Sequence, residues 1–209
     1  LDGITFTSNQ DTTFGNAGAD TLTINTALTT VDTSAADKNV TINSATTINA
    51  DFTVTTDAGN ITQNGTVDGP NDLIYNSSGT TAINGEIGGT TPVNSLTTDA
   101  PGTTDLNANV SAAGGDILFS DAVNLLSSLV LTGGAGTDLT FDSTVDGAND
   151  LTLDIDGATN FNGDAGATTP IGDGAGAAIT VNSTGATNFN ETLTAATGIT
   201  QAGTAGLVT

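Results

Sequence analysis

Histidine, arginine, cysteine, methionine and tryptophan are missing from these 209 residues, and lysine occurs once, as Lys38. Each absence excludes something. Without cysteine there is neither a disulfide nor a thiolate metal site. Without histidine, no serine or threonine has the base that the usual triads employ. A single lysine cannot line a positively charged groove, so nucleic acid is excluded as a partner, and an anionic membrane surface is equally unsuited. No apolar run approaches the ~18 residues of a spanning helix, so direct membrane insertion is not expected. There is no initiator methionine and no basic leader, so Leu1 reads as a mature start or an internal cut.

What remains is narrow. The chain has 43 Thr, 27 Gly and 21 Asp, and a net charge of −22. Glutamate occurs only as Glu86 and Glu191. Aspartate serves in turns, where it caps backbone amides, whereas glutamate favours helices, so many turns and few helices follow. Such an acid excess can signal disorder. Here charged residues are only 11 % of the chain and the apolar residues are patterned, which argues for a folded β-structure whose Thr, Ser and Asn occupy sheet surfaces and turns.

The pattern is a short triplet, apolar-x-apolar, as in Ile4-Thr5-Phe6, Leu22-Thr23-Ile24, Val40-Thr41-Ile42, Leu139-Thr140-Phe141, Leu151-Thr152-Leu153 and Ile179-Thr180-Val181. In an extended strand the outer two side chains share one face and the middle one points away. The early triplets begin at 4, 22, 40 and 61. Further pairs lie 12 apart, such as Val40 and Phe52 or Leu139 and Leu151. A single apolar residue falls 8 beyond a triplet's end, as from Phe6 to Phe14, Leu153 to Phe161 and Val181 to Phe189.

Two longer echoes exist. Thr66–Gly69, Asn71–Leu73 and Thr90–Pro92 recur 78 residues later as Thr144–Gly147, Asn149–Leu151 and Thr168–Pro170. Gly-Ala-Thr-Asn-Phe-Asn at Gly157–Asn162 recurs 28 residues later at Gly185–Asn190. Coils of about 18–22 residues with two or three short strands each are expected for a parallel β-solenoid, and the 78-residue echo then reads as roughly four coils. One coil cannot bury its few apolar side chains, but stacked coils align them into continuous inner ladders. Residues 1–209 are therefore expected to form a single all-β solenoid segment of roughly ten coils, about 45–50 Å long, with no rigid register assignable from 85 to 115. A pair of antiparallel sandwiches is the competing reading, since hairpins also place strands every ~8–12 residues. The residues expected to point inward are Phe6, Phe14, Leu22, Ile24, Val40, Ile42, Leu139, Phe141, Leu151, Leu153, Phe161, Ile179, Val181 and Phe189.

Candidate sites are few. Asp154 and Asp156 alternate to one side of an extended segment, yet arginine is missing and aromatics make up only 4 %; exposed turn acids are the simpler reading, and no catalytic residue is assigned. Gly133-Gly134-Ala135-Gly136-Thr137-Asp138-Leu139 matches one unit of a calcium-binding Gly-Gly-x-Gly-x-Asp-x repeat, which makes Asp138 a candidate calcium ligand. Such sites form between adjacent copies, and the neighbouring sequence supplies none. Thr-x-Thr pairs at 21–23, 53–55 and 192–194 fall short of a regular ice-binding array.

The Thr-x-Ile/Phe-Asn-Gly theme (Thr81–Gly85, Thr159–Gly163), together with Gly88–Ala100, resembles the repeats of very large bacterial surface proteins, the filamentous-haemagglutinin-like adhesins. The resemblance covers essentially the whole chain and rests on style of repeat rather than on one motif. It implies a right-handed β-helical rod, secreted or held at the bacterial cell surface, with a glycan or cell-surface receptor among its partners. The function expected is a non-enzymatic structural or adhesive fibre segment. A self-assembling filament or surface-layer subunit, associating with itself or with neighbouring solenoid segments, is the alternative, and a polysaccharide-acting solenoid enzyme is a third.

Overall fold

The computed structural model describes residues 4–8, 10–16, 20–26, 28–32, 37–201 and 209, with backbone alone for 4–7 and 28–32. Every named element is a β-strand, every strand pairing is parallel, and the strands stack as a solenoid of about eight turns. At ~4.8 Å per turn the stack is roughly 40 Å long.

Each turn has three faces. The first is an unbroken nine-stranded ladder that includes Phe52–Thr56, Asp72–Ser77, Ser95–Thr98, Ile117–Phe119, Leu139–Phe141, Thr159–Phe161 and Thr187–Phe189. The second runs through seven strands, from Thr12–Phe14 to Val145–Asp146, and is prolonged by single bridges from Val145 to Ala165 and on to Leu193. The third is three strands and then five, joined by the bridges Val67↔Ile87 and Ile87↔Val110. The strands are short because each occupies one face of a triangular cross-section and ends where the chain must turn.

Alternation of side chains gives each face an inner and an outer surface. Val54, Tyr75, Thr98, Phe119, Phe141, Phe161 and Phe189 follow one another along one inner column of the first face. Its four phenylalanines stack, with centroids 5.2, 4.8 and 4.6 Å apart. Of the side chains expected inward, Ile24, Val40, Ile42, Leu139, Phe141, Leu151, Leu153, Phe161, Ile179 and Val181 are buried. Phe14, Leu22 and Phe189 are half-buried and pack against the same core. The Phe6 side chain lies outside the described residues.

The coil lengths differ from expectation. Along the first face Ile4, Leu28, Phe52, Leu73, Leu96, Ile117, Leu139, Thr159 and Thr187 are successive partners, so the coils span 24, 24, 21, 23, 21, 22, 20 and 28 residues. The triplets at 4, 22 and 40 are not one coil apart. Ile4 is on the first face, Leu22 on the third and Val40 on the second. The 18-residue steps cross two faces over long corners. The 12-residue spacing also advances two faces, and the 8-residue spacing advances one. Of the steps between 4, 22, 40 and 61, only that from 40 to 61 is a true coil repeat. In the segment from 85 to 115 the third face is first held by single bridges at Ile87 and Val93, and Ser95–Thr98, Thr103–Leu106 and Val110–Ala112 then occupy the three faces in order.

Candidate functional site: the polar corners and outer faces

The corners explain the aspartate. A coil leaves backbone amides unpaired where the chain turns, and a buried or half-buried amide needs an acceptor. Aspartate is short enough to reach one from the coil beside it. The Asp116 Oδ1 atom accepts the amide of Asp138 at 3.0 Å, and the Asp138 Oδ1 atom accepts that of Ala158 at 2.7 Å. Asp51 holds the Asp72 amide in the same way, and Asp164 that of Thr192. In each case a carboxylate staples one coil to the next.

Asparagine forms parallel ladders. The Asn84 Nδ2 group donates to Asn64 Oδ1 at 2.9 Å, and Asn64 Nδ2 donates to Asn43 Oδ1 at 2.8 Å. A second ladder runs from Asn190 through Asn162 to Asp142. Side-chain amides suit this position because each carries both a donor and an acceptor, so identical residues pair in register. The glycines that follow are equally constrained. A Cβ on Gly85 would lie 2.0 Å from the Gly65 carbonyl oxygen, and one on Gly65 would lie 1.9 Å from that of Ser44.

The candidate residues lie in corners and on an outer face. Asp138 is exposed, and its Oδ1 atom is occupied by the Ala158 amide. The preceding glycines form a turn closed by the Thr137 amide on the Gly134 carbonyl, with Gly136 at φ +84°. Among the described residues no three His, Cys, Asp or Glu side chains gather as a metal-binding group. Asp154 is exposed on the Leu151–Ile155 strand, while Asp156, in the next corner, accepts the Thr184 hydroxyl at 3.1 Å. Thr13, Thr41 and Thr62 do align across three strands of the second face, but the rank continues with Ala82 and Asp105.

Three arrangements were not expected from the sequence. The first is a groove of about 490 Å³ on the first face, lined by Asp72, Asn94, Ser95, Thr97, Asp116, Leu118 and Thr140 among others. Within it the Asp72 Oδ1 atom accepts both Asn94 Nδ2 at 2.6 Å and Ser95 Oγ at 2.7 Å. A carboxylate, an amide and a hydroxyl are thus fixed beside the half-buried Leu118, a set that matches a hydroxyl-rich ligand with one apolar side. The second is a buried pair, Tyr75 Oη donating to Gln63 Oε1 at 3.0 Å, with Gln63 Nε2 donating to the Gly65 carbonyl at 2.9 Å. Burial pushes the Tyr75 phenol well above its usual range. The third is Asp121, which is 3 % exposed. A signal for it was present in the sequence: period-2 alternation runs unbroken from Ile117 to Leu125 and carries position 121 to the inner side with Phe119 and Val123.

Comparison with protein-family models, with curated proteins and with solved structures finds no match to this chain.

Proposed function

We propose that the chain is a rod-like segment of a non-enzymatic extracellular fibre, serving attachment of a bacterial surface to another surface. The observation that supports this best is the unbroken nine-stranded parallel ladder over a continuous apolar core. Such a stack transmits load along its axis through every coil, and its outer faces carry hydroxyls and amides at regular intervals. The exposed acids are spread along the corners and outer faces, and several of them staple one coil to the next. Adhesive contact is assigned to the groove beside Asp72 and Asn94, whose fixed polar groups suit a neutral glycan. The surrounding charge of −22 disfavours an acidic one.

The test is retention of neutral glycans and of whole cells on the immobilised chain, compared with a chain carrying Asp72→Ala and Asn94→Ala. Retention that falls at least tenfold in the double variant supports the reading. Equal binding by both chains removes the groove from it, and release of oligosaccharide products would replace adhesion with catalysis.

A further inference from the structure

Every carboxylate described above lies in a corner or on an outer face except that of Asp121, the one acidic side chain among the described buried residues. It sits between the Ile117–Phe119 and Ala122–Leu125 strands and reaches back to the preceding coil. Its Oδ1 atom accepts the hydroxyl of Thr98 at 3.1 Å and that of Thr104 at 2.8 Å. Thr98 ends the Ser95–Thr98 strand and Thr104 lies in the Thr103–Leu106 strand, so one oxygen ties together both sides of the corner at 99–102. The Oδ2 atom is buried and has no hydrogen-bond partner. Earlier coils fill this seam with neutral groups: the hydroxyls of Thr56 and Ser77 both donate to the Gly59 carbonyl, at 2.6 and 2.7 Å.

Among the described residues no cation is found to offset Asp121. Asp99 faces it from the preceding corner and adds repulsion. Asp105, on the flanking strand, accepts from Asn124, and Asp142, in the next corner, is exposed and accepts from Asn162. The chain's one lysine, Lys38, precedes the Val40–Ile42 strand, four strands away along the second face.

We propose that Asp121 is an acid-operated latch: as the neutral acid it holds the 99–102 corner shut against Thr98 and Thr104, and as the carboxylate it loosens that corner. An ionised carboxylate here keeps part of its charge on the buried Oδ2 atom, which has no hydrogen-bond partner, and burying such a charge is costly. Burial accordingly raises the acid above the ordinary 3.8, helped by the Asp99 charge and against smaller opposing pulls from the Thr104 and Thr98 hydroxyls and its own backbone amide. Because the native value is the raised one, the proton is held more tightly in the closed corner than in the opened one. The stabilisation is complete below 3.8 and is lost as pH rises from there through the native value. The middle coils of the rod therefore tighten on acidification and slacken towards neutrality.

The experiment is amide hydrogen exchange between about pH 4 and pH 8 on the whole chain, on Asp121→Asn and on Asp142→Asn. The reporters are the Thr103 and Ser120 amides, which bond to the carbonyls of Gly79 and Thr98. The Asn182 amide, bonded to Leu153 on the third face, is the internal reference. Protection at the two reporters, relative to the reference, is expected to fall by up to about tenfold per pH unit within the titration window. Asp142→Asn should keep that slope. Asp121→Asn should abolish it and hold protection at neutral pH at or above that of the unaltered chain. Parallel pH profiles for the unaltered chain and Asp121→Asn overturn the proposal. If Asp121→Asn does not fold, carboxyl carbon resonances of the unaltered chain decide: titration of Asp121 at or below the ordinary aspartate value overturns the latch, and titration above it, with the reporters following, supports it.

Discussion

Asp68 and Asp146, 78 residues apart, make the same pair of hydrogen bonds on different faces of the solenoid. The Asp68 Oδ1 atom accepts the amides of Thr90 and Thr91 at 2.7 and 3.0 Å, and the Asp146 Oδ1 atom accepts those of Thr168 and Thr169 at 2.8 and 2.9 Å. The likeness extends outward. Gly88 and Gly166 have φ of +74° and +75°, and their amides bond to the carbonyls of Val67 and Val145. Asn71 and Asn149 each donate to a carbonyl of the preceding coil, at Ile48 and Leu125. Yet Val67 belongs to the third face and Val145 to the second. The echo is thus a corner module moved by three and two-thirds turns, not a four-coil repeat. The three corners are similar enough for the same module to serve at more than one.

Removing either carboxylate should therefore have the same effect. Asp68→Ala and Asp146→Ala are each expected to cost about 1.5–3 kcal/mol, the range for hydrogen bonds to a charged acceptor. Asn at either position keeps the accepting oxygen and should cost much less. The two sites lie more than three coils apart, roughly 17 Å along the axis, so the double Ala variant should be additive within about 0.5 kcal/mol. Urea melts of the four chains check this. A large coupling energy would mean that the corners are not independent modules.

The phenylalanine column is the most sensitive part of the core. Phe141 stacks on Phe119 on one side and on Phe161 on the other and has no exposed surface. Phe141→Ala should cost about 3–5 kcal/mol, and Phe141→Asp more, since it adds an unpaired buried charge. Asp142→Asn should be close to neutral, because the new amide oxygen still accepts from Asn162. Phe189 is only half-buried, so Phe189→Ala should cost less than Phe141→Ala. Thermal melts that give Phe141→Asp and Asp142→Asn the same midpoint would contradict the inward assignment.

Part of this architecture is legible in the sequence. Triplets such as Leu139-Thr140-Phe141 announce strand, inner face and stacking together, because period 2 and the need for neighbouring coils are local properties. The coil register was not legible at 4, 22 and 40. Triplets on all three faces have the same composition, so spacing cannot distinguish one turn from two-thirds of a turn when corner lengths vary. The Gly157 and Gly185 copies do share a face, since their offset of 28 is one coil enlarged by a long corner. Asp121 and the Tyr75–Gln63 pair were missed for another reason. A polar residue at an inner position, such as Gln63 in Ile61-Thr62-Gln63, breaks the apolar triplet while leaving the alternation intact.

Glycine in the asparagine corners should be irreplaceable for steric reasons. Gly85 is buried, and a Cβ there would overlap a backbone carbonyl that no side-chain rotation can move. Gly85→Ala must push adjacent coils apart and is expected to cost about 1–3 kcal/mol or more, as other overpacking changes do. Gly198→Ala is the control: its Cβ would meet nothing within 4 Å. A chemical-denaturation midpoint lowered only for Gly85→Ala is the expected result. Equal midpoints would mean that the coils have slack at the corners.

Tyr75 offers a spectroscopic test of core integrity, because the chain has one tyrosine and no tryptophan. Its hydroxyl is buried and donates to Gln63. Burial disfavours the phenolate, so the native phenol should stay neutral beyond the ordinary titration near ~10. Above that value the unfolded chain ionises and the native one does not, and the stabilisation due to the neutral phenol declines as pH rises. Phenolate absorbance should therefore appear only together with loss of β-sheet circular dichroism. Tyr75→Phe should remove the signal and leave Gln63 Oε1 without its donor, costing about 1–3 kcal/mol. Gln63→Leu in the Tyr75→Phe background should recover part of that loss, since it removes the stranded polar group. Phenolate absorbance rising near pH 10 while the circular dichroism is intact would show that water reaches Tyr75, and would contradict a sealed core between the first and second faces.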